Sequence, residues 1–301
     1  MTTSIDFPNL GIHLANVGKS IDIHGFNIAY YGICIGIGML LGILMAQTYA
    51  KKAGHDPEIF LDIALYGIIL GVIGARAYYV AFEWEMYKDN LKDIFNLRLG
   101  GLGIYGGVLT AIVVIVVYAK IKKLPASVIY DGVAIGLPTG QMLGRWGNFF
   151  NREAFGEYTD GLFAMRIPVD VVRNRDITDM MRENMQTIDG IDFIQVTPTY
   201  LYESVLCLCI VIFLLLFIKH RKFDGQLFLF YSIFYGAGRF LIEGTRTDSL
   251  YIPVVGIKVS QLVAVCLITA GVVLMAYNLN KVRKNGIHLA EGAVLNPEKT
   301  K

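Results

Sequence analysis

The chain reads as an all-α integral membrane protein of about seven transmembrane helices, and three features of its 301 residues carry that prediction. Hydrophobic residues make up 54% and charged residues only 17%, against roughly 45–50% and about 25% in soluble chains. The apolar residues are gathered into long runs, each close to the roughly 20 residues a helix needs to cross a bilayer core. Basic clusters fall at alternate ends of those runs. With 32 glycines, only 8 prolines and no low-complexity tract, disorder is excluded. The near-balance of 27 basic and 25 acidic residues gives no electrostatic footprint for nucleic acid.

The first run, 28–49, ends on Lys51-Lys52, and the second covers 59–82. The third, 101–119, closes on Lys120, Lys122 and Lys123. It opens with Gly101-Leu102-Gly103-Ile104-Tyr105-Gly106, which matches the dinucleotide fingerprint GxGxxG. That fingerprint needs a strand before it and a helix after it in a soluble βαβ unit. Here it opens a membrane run, where glycines serve close helix packing. The fourth run, 126–146, holds Gly132, Gly136, Gly140 and Gly144 at i+4 steps with Pro138 among them, so a neighbour is expected tight against one face. The fifth, 199–218, ends at Lys219, Arg221 and Lys222; the sixth is 226–243; the seventh, 258–278, ends at Lys281, Arg283 and Lys284. By the positive-inside rule these ends are cytoplasmic, which puts the N-terminus outside and the C-terminus inside. Segments 83–98, 147–198 and 244–257 fall on the other side. Residues 1–280 are thus expected as one seven-span domain, 147–198 as an extracytoplasmic arm between spans four and five with mixed helix and turn character, and 281–301 as a cytoplasmic tail. No internal repeat or inverted symmetry of the kind many transporters show is visible.

The N-terminus lacks a basic segment followed by an apolar one, so no cleaved signal peptide is expected. Cys34, Cys207, Cys209 and Cys266 all lie inside apolar runs and form no CxxC or Cys/His grouping. His13, His24, His55, His220 and His288 lie outside the runs. No disulfide framework, metal site or cofactor is expected.

An Arg or Asp at a bilayer centre costs roughly 2.5–3.5 kcal/mol on insertion scales. Asp62, Arg76, Asp131, Arg145, Glu203, Arg239 and Glu243 nonetheless fall in the spans or at their rims. Near a helix end such a residue has an ordinary reading, as a snorkelling side chain or a structural ion pair. Asp62 and Asp131, near cytoplasmic ends, fit it. The other five lie towards outer ends and are expected to converge below the outer-leaflet headgroups. Tyr235, Arg239 and Glu243 are spaced i, i+4, i+8 along one face of the sixth helix. The fourth span runs out through GRWGNFFNREAFG (Gly144–Gly156), which places Arg145, Asn148, Asn151 and Glu153 among glycines and aromatics. The planar guanidinium fork suits phosphate oxygens. Two arginines at one depth imply an anionic, phosphate-bearing ligand, and the most abundant of these in a membrane is a phospholipid.

The run Gly144–Gly156 resembles the signature of the bacterial prolipoprotein diacylglyceryl transferase family. Further pieces agree in order: Ala29-Tyr30-Tyr31-Gly32, Gly74-Ala75-Arg76-Ala77-Tyr78-Tyr79, Gly100–Gly107, Pro198–Glu203 and Gly238–Arg246. The resemblance extends to about residue 280 and is carried by the combination, not by any one piece. It implies an enzyme of the bacterial cell membrane with its site towards the outer leaflet. Such an enzyme transfers the diacylglyceryl group of phosphatidylglycerol to the lipobox cysteine thiol of a preprolipoprotein, releasing glycerol 1-phosphate. The resemblance assigns phosphate binding to Arg145 and Arg239, and hydrogen bonds to the headgroup or motif backbone to Asn148 and Asn151. Glu153 and Glu243 orient arginines or take a proton, Tyr31 and Tyr235 complete the pocket, Arg76 adds to the binding residues, and Gly156 ends the motif with a turn. For each Asn, a helix cap or loop hydrogen bond is an equal alternative.

The chain departs from the family where a histidine often stands, at Tyr105. A phenol, with an ordinary pKa of about 10, is a poorer base at neutral pH. Either Tyr105 donates a hydrogen bond or relays a proton, or thiol activation rests on Glu243 and the arginines; an aromatic-belt tyrosine is the plain alternative. Thr197-Pro198 and Asn151-Arg152-Glu153 depart likewise from His-Pro and Asn-Gly-Glu. Two rival readings are a transporter of an anionic lipid or organic phosphate, and a non-catalytic membrane module. The first needs charges spread through the midplane, and the second leaves the Arg145–Glu153 cluster without work.

Overall fold

The computed structural model describes residues 3–97, 100–252 and 256–287. Seven long helices follow the seven apolar runs: α1 (Tyr30–Ala53), α2 (Glu58–Phe82), α3 (Ile104–Lys122), α4 (Ala126–Asn151), then, after a short α5 (Asp179–Glu183), α6 (Thr199–Phe217), α7 (Gln226–Thr245) and α8 (Val259–Asn285). Prolines precede α2, α4 and α6 directly, where the missing N–H costs nothing. α1 ends on Gly54 in the left-handed conformation, with φ 78°. Among the described residues, α1, α2, α3, α6 with its following turn, and α8 are long and apolar enough to cross a membrane. α4 and α7 are equally long but carry Asp131 and Arg145, and Arg239 and Glu243. Residues 281–285 of the expected tail continue α8, while 288–301 lie outside the described residues.

The glycine ladder of α4 packs as its spacing predicts. A Cβ on Gly42 of α1 would come 2.6 Å from the Gly136 carbonyl oxygen, and one on Gly38 2.9 Å from that of Gly140. Gly132 receives the Phe60 ring, whereas Gly144 faces open space. The glycines of the GxGxxG match are packing residues too: Gly103 and Gly106 lie against Tyr78 of α2, and the Gly103 amide donates to the Ala75 carbonyl at 2.9 Å. Asp131, fully buried, accepts from the amides of Gly225 (2.9 Å) and Phe228 (3.0 Å), and so caps the start of α7. Asp62 accepts from the Tyr118 hydroxyl at 2.7 Å, joining α2 to α3. Asp62 also lies 4.0 Å from Lys122 Nζ, the ion pair expected of it, whereas Asp131 neither snorkels nor pairs with a charge among the described residues and serves as a buried cap instead.

The apolar runs do not foretell the sheets. β1 (Ile5–Phe7), β2 (Ile12–Leu14), β5 (Met165–Pro168), β6 (Gln186–Ile188) and β7 (Ile191–Val196) form an antiparallel sheet in the order β2-β1-β5-β7-β6. β3 (Ser20–Ile23) and β4 (Phe26–Ala29) form a hairpin that leads into α1. The arm segment therefore folds together with the N-terminus, joined where Asp6 opposes Arg166 and pairs with it at 3.1 Å. Ile5, Met165, Ile167, Met181, Ile194 and Val196 form its core, with Phe149, Phe155 and Tyr200 from the flanking helices and motif.

Candidate functional site

The charges gather where α4 and α7 end and α6 begins. Glu203, in the second turn of α6 and 2% exposed, is the hub. Arg145 Nε reaches its Oε2 and Arg239 Nη1 its Oε1, while Arg246, just past the end of α7, lies 4.0 Å from Oε1. One turn along α7, Glu243 Oε2 is 2.6 Å from Arg239 Nη2. The Tyr235 hydroxyl stands within electrostatic reach of Arg145. Tyr235, Arg239 and Glu243 thus share one face of α7, as their i, i+4, i+8 spacing predicts, and Arg145 of α4 meets them there through Glu203.

Neighbouring polar contacts set this geometry. Trp146 Nε1 donates to Ser204 Oγ (3.2 Å) and Ser204 donates to the Met142 carbonyl (2.9 Å), which locks α4 to α6. The Tyr231 hydroxyl donates to Gln141 Oε1 at 3.1 Å and locks α4 to α7. Lys258 Nζ donates to the carbonyls of Glu243 (2.6 Å) and Arg246 (3.0 Å), satisfying the exposed end of α7. Arg246 grips Asp248 through Nε and Nη2, both at 2.9 Å. Burial alone would raise the Asp248 carboxyl, but the Arg246 hydrogen bond and charge outweigh it and hold it below the usual range.

The motif after α4 forms a second group beside the first. Arg152 takes the left-handed conformation (φ 54°, ψ 51°) and ends the helix. Its buried guanidinium donates to the carbonyls of Phe150 (3.1 Å), Thr3 (2.5 Å) and Val17 (2.6 Å), stapling the N-terminal strands to the motif. The reversal brings Glu153 back, so that its Oε1 accepts from Asn148 and Asn151 Nδ2, both at 3.2 Å. The Tyr31 ring lies on Gly147, 2.6 Å from where a Cβ would stand. Gly156 is not the turn expected of it. Its amide donates to the Thr197 carbonyl (2.9 Å), it bridges Arg246, and the next amide, of Glu157, donates to Thr245 O (2.9 Å). A Cβ at 156 would meet Thr197 Cβ and Thr245 O at 2.9 Å, so only glycine fits this clamp between the start of α6 and the end of α7.

Two expected site residues lie apart from the network. All five donors of Arg76 go to backbone carbonyls: Nε to Ile94, Nη1 to Gly100 and Gly101, Nη2 to Asp93 and Asn96, at 2.6–3.4 Å. With no donor left for a phosphate, Arg76 is a staple that folds the segment after α2 back onto the helix; the binding role expected of it is corrected accordingly. Tyr105, an exposed residue, opens α3 with its ring 6.5 Å from that of Tyr78, and its hydroxyl has no hydrogen-bond partner among the described residues.

The sequence places Glu203 among the converging charges without giving it a role, and Arg246 is a functional candidate it does not single out. Glu203 is visible as a charge in a span, but its sharing by helices on both sides of α6 is not. Arg246 lies beyond the helix, where periodicity gives no signal. Among the described residues, Arg145, Arg239 and Arg246 surround two carboxylates, Glu203 and Glu243, leaving one net positive charge before Asp248 caps the outer side. The Arg145 and Arg239 side chains are 24% and 16% exposed above carboxylates that are 2% exposed. The face turned outward is cationic, forked and oriented from below, which suits an oxyanion with several acceptor oxygens.

A sequence profile of the prolipoprotein diacylglyceryl transferase family matches residues 19–277. The chain is 40% identical over 256 residues to a phosphatidylglycerol–prolipoprotein diacylglyceryl transferase of Finegoldia magna, covering 85% of this chain and 93% of that protein. A protein of the same name from Clostridioides difficile is 38% identical over 265 residues, covering 88% and 96%. One from Bacillus cytotoxicus is 37% identical over 256 residues, covering 84% and 89%.

Proposed function

Because the chain belongs to the prolipoprotein diacylglyceryl transferase family, we infer that it is a transferase moving the diacylglyceryl group of phosphatidylglycerol to a prolipoprotein. The observation that carries the site assignment is Glu203, one buried carboxylate holding Arg145 and Arg239 in a fixed relation. In the reaction, the lipobox cysteine sulfur attacks the glycerol carbon that bears the phosphate. A C–S bond forms, the C–O bond breaks, and its electron pair leaves on the phosphate oxygen of glycerol 1-phosphate, which also accepts the proton lost by the thiol. Arg145 and Arg239 neutralise the charge that gathers on that oxygen. Glu203 and Glu243 orient the two arginines, Tyr235 completes the pocket beside Arg145, and Tyr31 lines the pocket wall on Gly147. Asn148, Asn151 and Glu153 hold the motif and the headgroup glycerol. An apolar cavity of about 430 Å³ between α1, α2 and α4 reaches Gln141, one turn from Arg145, and takes the lipid tails. The four cysteines need no part, since the nucleophile arrives with the substrate.

The same reading sets the protein in the bacterial cell membrane with seven spans. Lys51 and Lys52, Lys120 and Lys122, and Arg283 and Lys284 close α1, α3 and α8. With those ends cytoplasmic, the arginine network faces the outer leaflet. The test is incubation of the purified protein with phosphatidylglycerol and a lipobox peptide. A thioether-linked diacylglyceryl peptide with equimolar glycerol phosphate is the expected result; lipid movement without either product overturns it.

A further inference from the structure

The charges do not stop at the buried network. Beside Glu203, 2% exposed, side-chain exposure is 12% at Arg246 and 23% at Asp248, and it reaches 28% at Glu153 and 51% at Arg173. Arg173 belongs to the arm, between β5 and α5. Its Nε donates to Asp176 Oδ2 at 2.8 Å, and Asp176 is itself buried, so the root of the guanidinium is fixed. Its tip is only loosely engaged: Nη2 lies 4.0 Å from Glu153 Oε2, at the limit of an ion pair, and its charge reaches Asp248. It therefore lies beside Glu153 of the motif and within electrostatic reach of Asp248, the carboxylate that Arg246 of the network grips. The neighbouring Arg175, 76% exposed, pairs with Asp176 alone among the described residues.

We propose that Arg173 is an outer binding station for the phosphate leaving group, which passes from the Arg145–Arg239 pair to Arg173 before it enters water. The inference rests on the phosphate reading of the network given above. A phosphate monoester carries a charge of about −1.5 to −2 near neutral pH, and a desolvated arginine pair that neutralises it in the transition state also retains it afterwards. A guanidinium fixed at its root but half hydrated at its tip gives the departing anion an intermediate partner. Its hold is weak and salt-sensitive, as contacts in high dielectric are. Arg173 does not touch the reacting atoms, so it serves release and not bond making.

The experiment uses the full-length protein in phosphatidylglycerol vesicles with a lipobox peptide, and adds glycerol 1-phosphate as inhibitor. Arg173→Gln is expected to keep single-turnover transfer within about twofold of wild type, while the half-inhibiting glycerol 1-phosphate concentration rises about fivefold at low salt, as rim charges act. The difference closes at about 0.5 M salt, where exposed charges are screened. Arg175→Gln should be inhibited like wild type. Unchanged inhibition in Arg173→Gln, an equal effect from Arg175→Gln, or a single-turnover rate that falls in step overturns the proposal. A wild-type enzyme that glycerol 1-phosphate does not inhibit at all would instead bring down the phosphate reading beneath it.

Discussion

Replacing Glu203 with Gln keeps the shape of the hub and removes its charge. Arg145 and Arg239 then lose their shared anchor, and Arg246 loses the nearest buried carboxylate. Breaking a buried ion pair by neutralising one partner costs about 3–5 kcal/mol. The arginine side chains here keep 24% and 16% of their exposure, which lets water repay part of that and favours the low end. Turnover needs both guanidinium planes in register with one phosphate, so about 3 kcal/mol of lost orientation corresponds to roughly a hundredfold slower transfer at 1.4 kcal/mol per factor of ten. Ground-state lipid binding should weaken little or even improve, because the variant site carries one more unit of net positive charge. The assay is initial-rate transfer from phosphatidylglycerol to a lipobox peptide over a range of lipid concentrations, with thermal unfolding in detergent as the folding control. A folded Glu203→Gln protein with near wild-type turnover would show that the arginines orient themselves, and would refute the hub.

Arg239→Lys keeps the charge but loses the fork that spans Glu203 and Glu243; turnover should fall by at least about tenfold, and a normal rate would make Arg239 a mere counter-ion. Tyr105→Phe removes a hydroxyl that has no partner among the described residues and so is free to meet substrate; we expect about a tenfold loss, or ~1.4 kcal/mol, with Tyr105→His retaining substantial activity, and wild-type rates for Phe from about pH 6 to 9 would leave only an interfacial ring. Arg76→Lys abandons most of five carbonyl contacts, so thermal stability should drop by about 3 kcal/mol while half-saturating phosphatidylglycerol stays constant; a raised lipid requirement at unchanged stability would restore a binding role. The Asp248 carboxyl is depressed in the folded state, so its contribution to stability is present above its unfolded pKa of about 3.9 and is lost as pH falls through the lower folded value. The stability gap between wild type and Asp248→Asn should hold above about pH 5 and shrink below about pH 4, and a gap that persists in acid would mean the aspartate acts by shape alone.

How far the sequence leads depends on what kind of partner a residue has. The long helices are legible because burying twenty apolar side chains leaves an unmistakable run, and α7's charged face is legible because helical spacing aligns Tyr235, Arg239 and Glu243. The sheet is hidden because β1 is three residues long and its partner β5 lies some 160 residues away, with Asp6 opposite Arg166. Such pairing has no periodic trace. Arg76 and Arg145 are equally conspicuous as arginines within membrane runs, yet they differ in fate. Arg145 is answered by Glu203, a side chain whose opposite charge inside another run is itself a signal. Arg76 is answered by five backbone carbonyls, which every residue possesses and no sequence displays. A charge in an apolar run therefore says that a partner exists, and only a complementary charge in a second run says that the pair is free to serve a ligand.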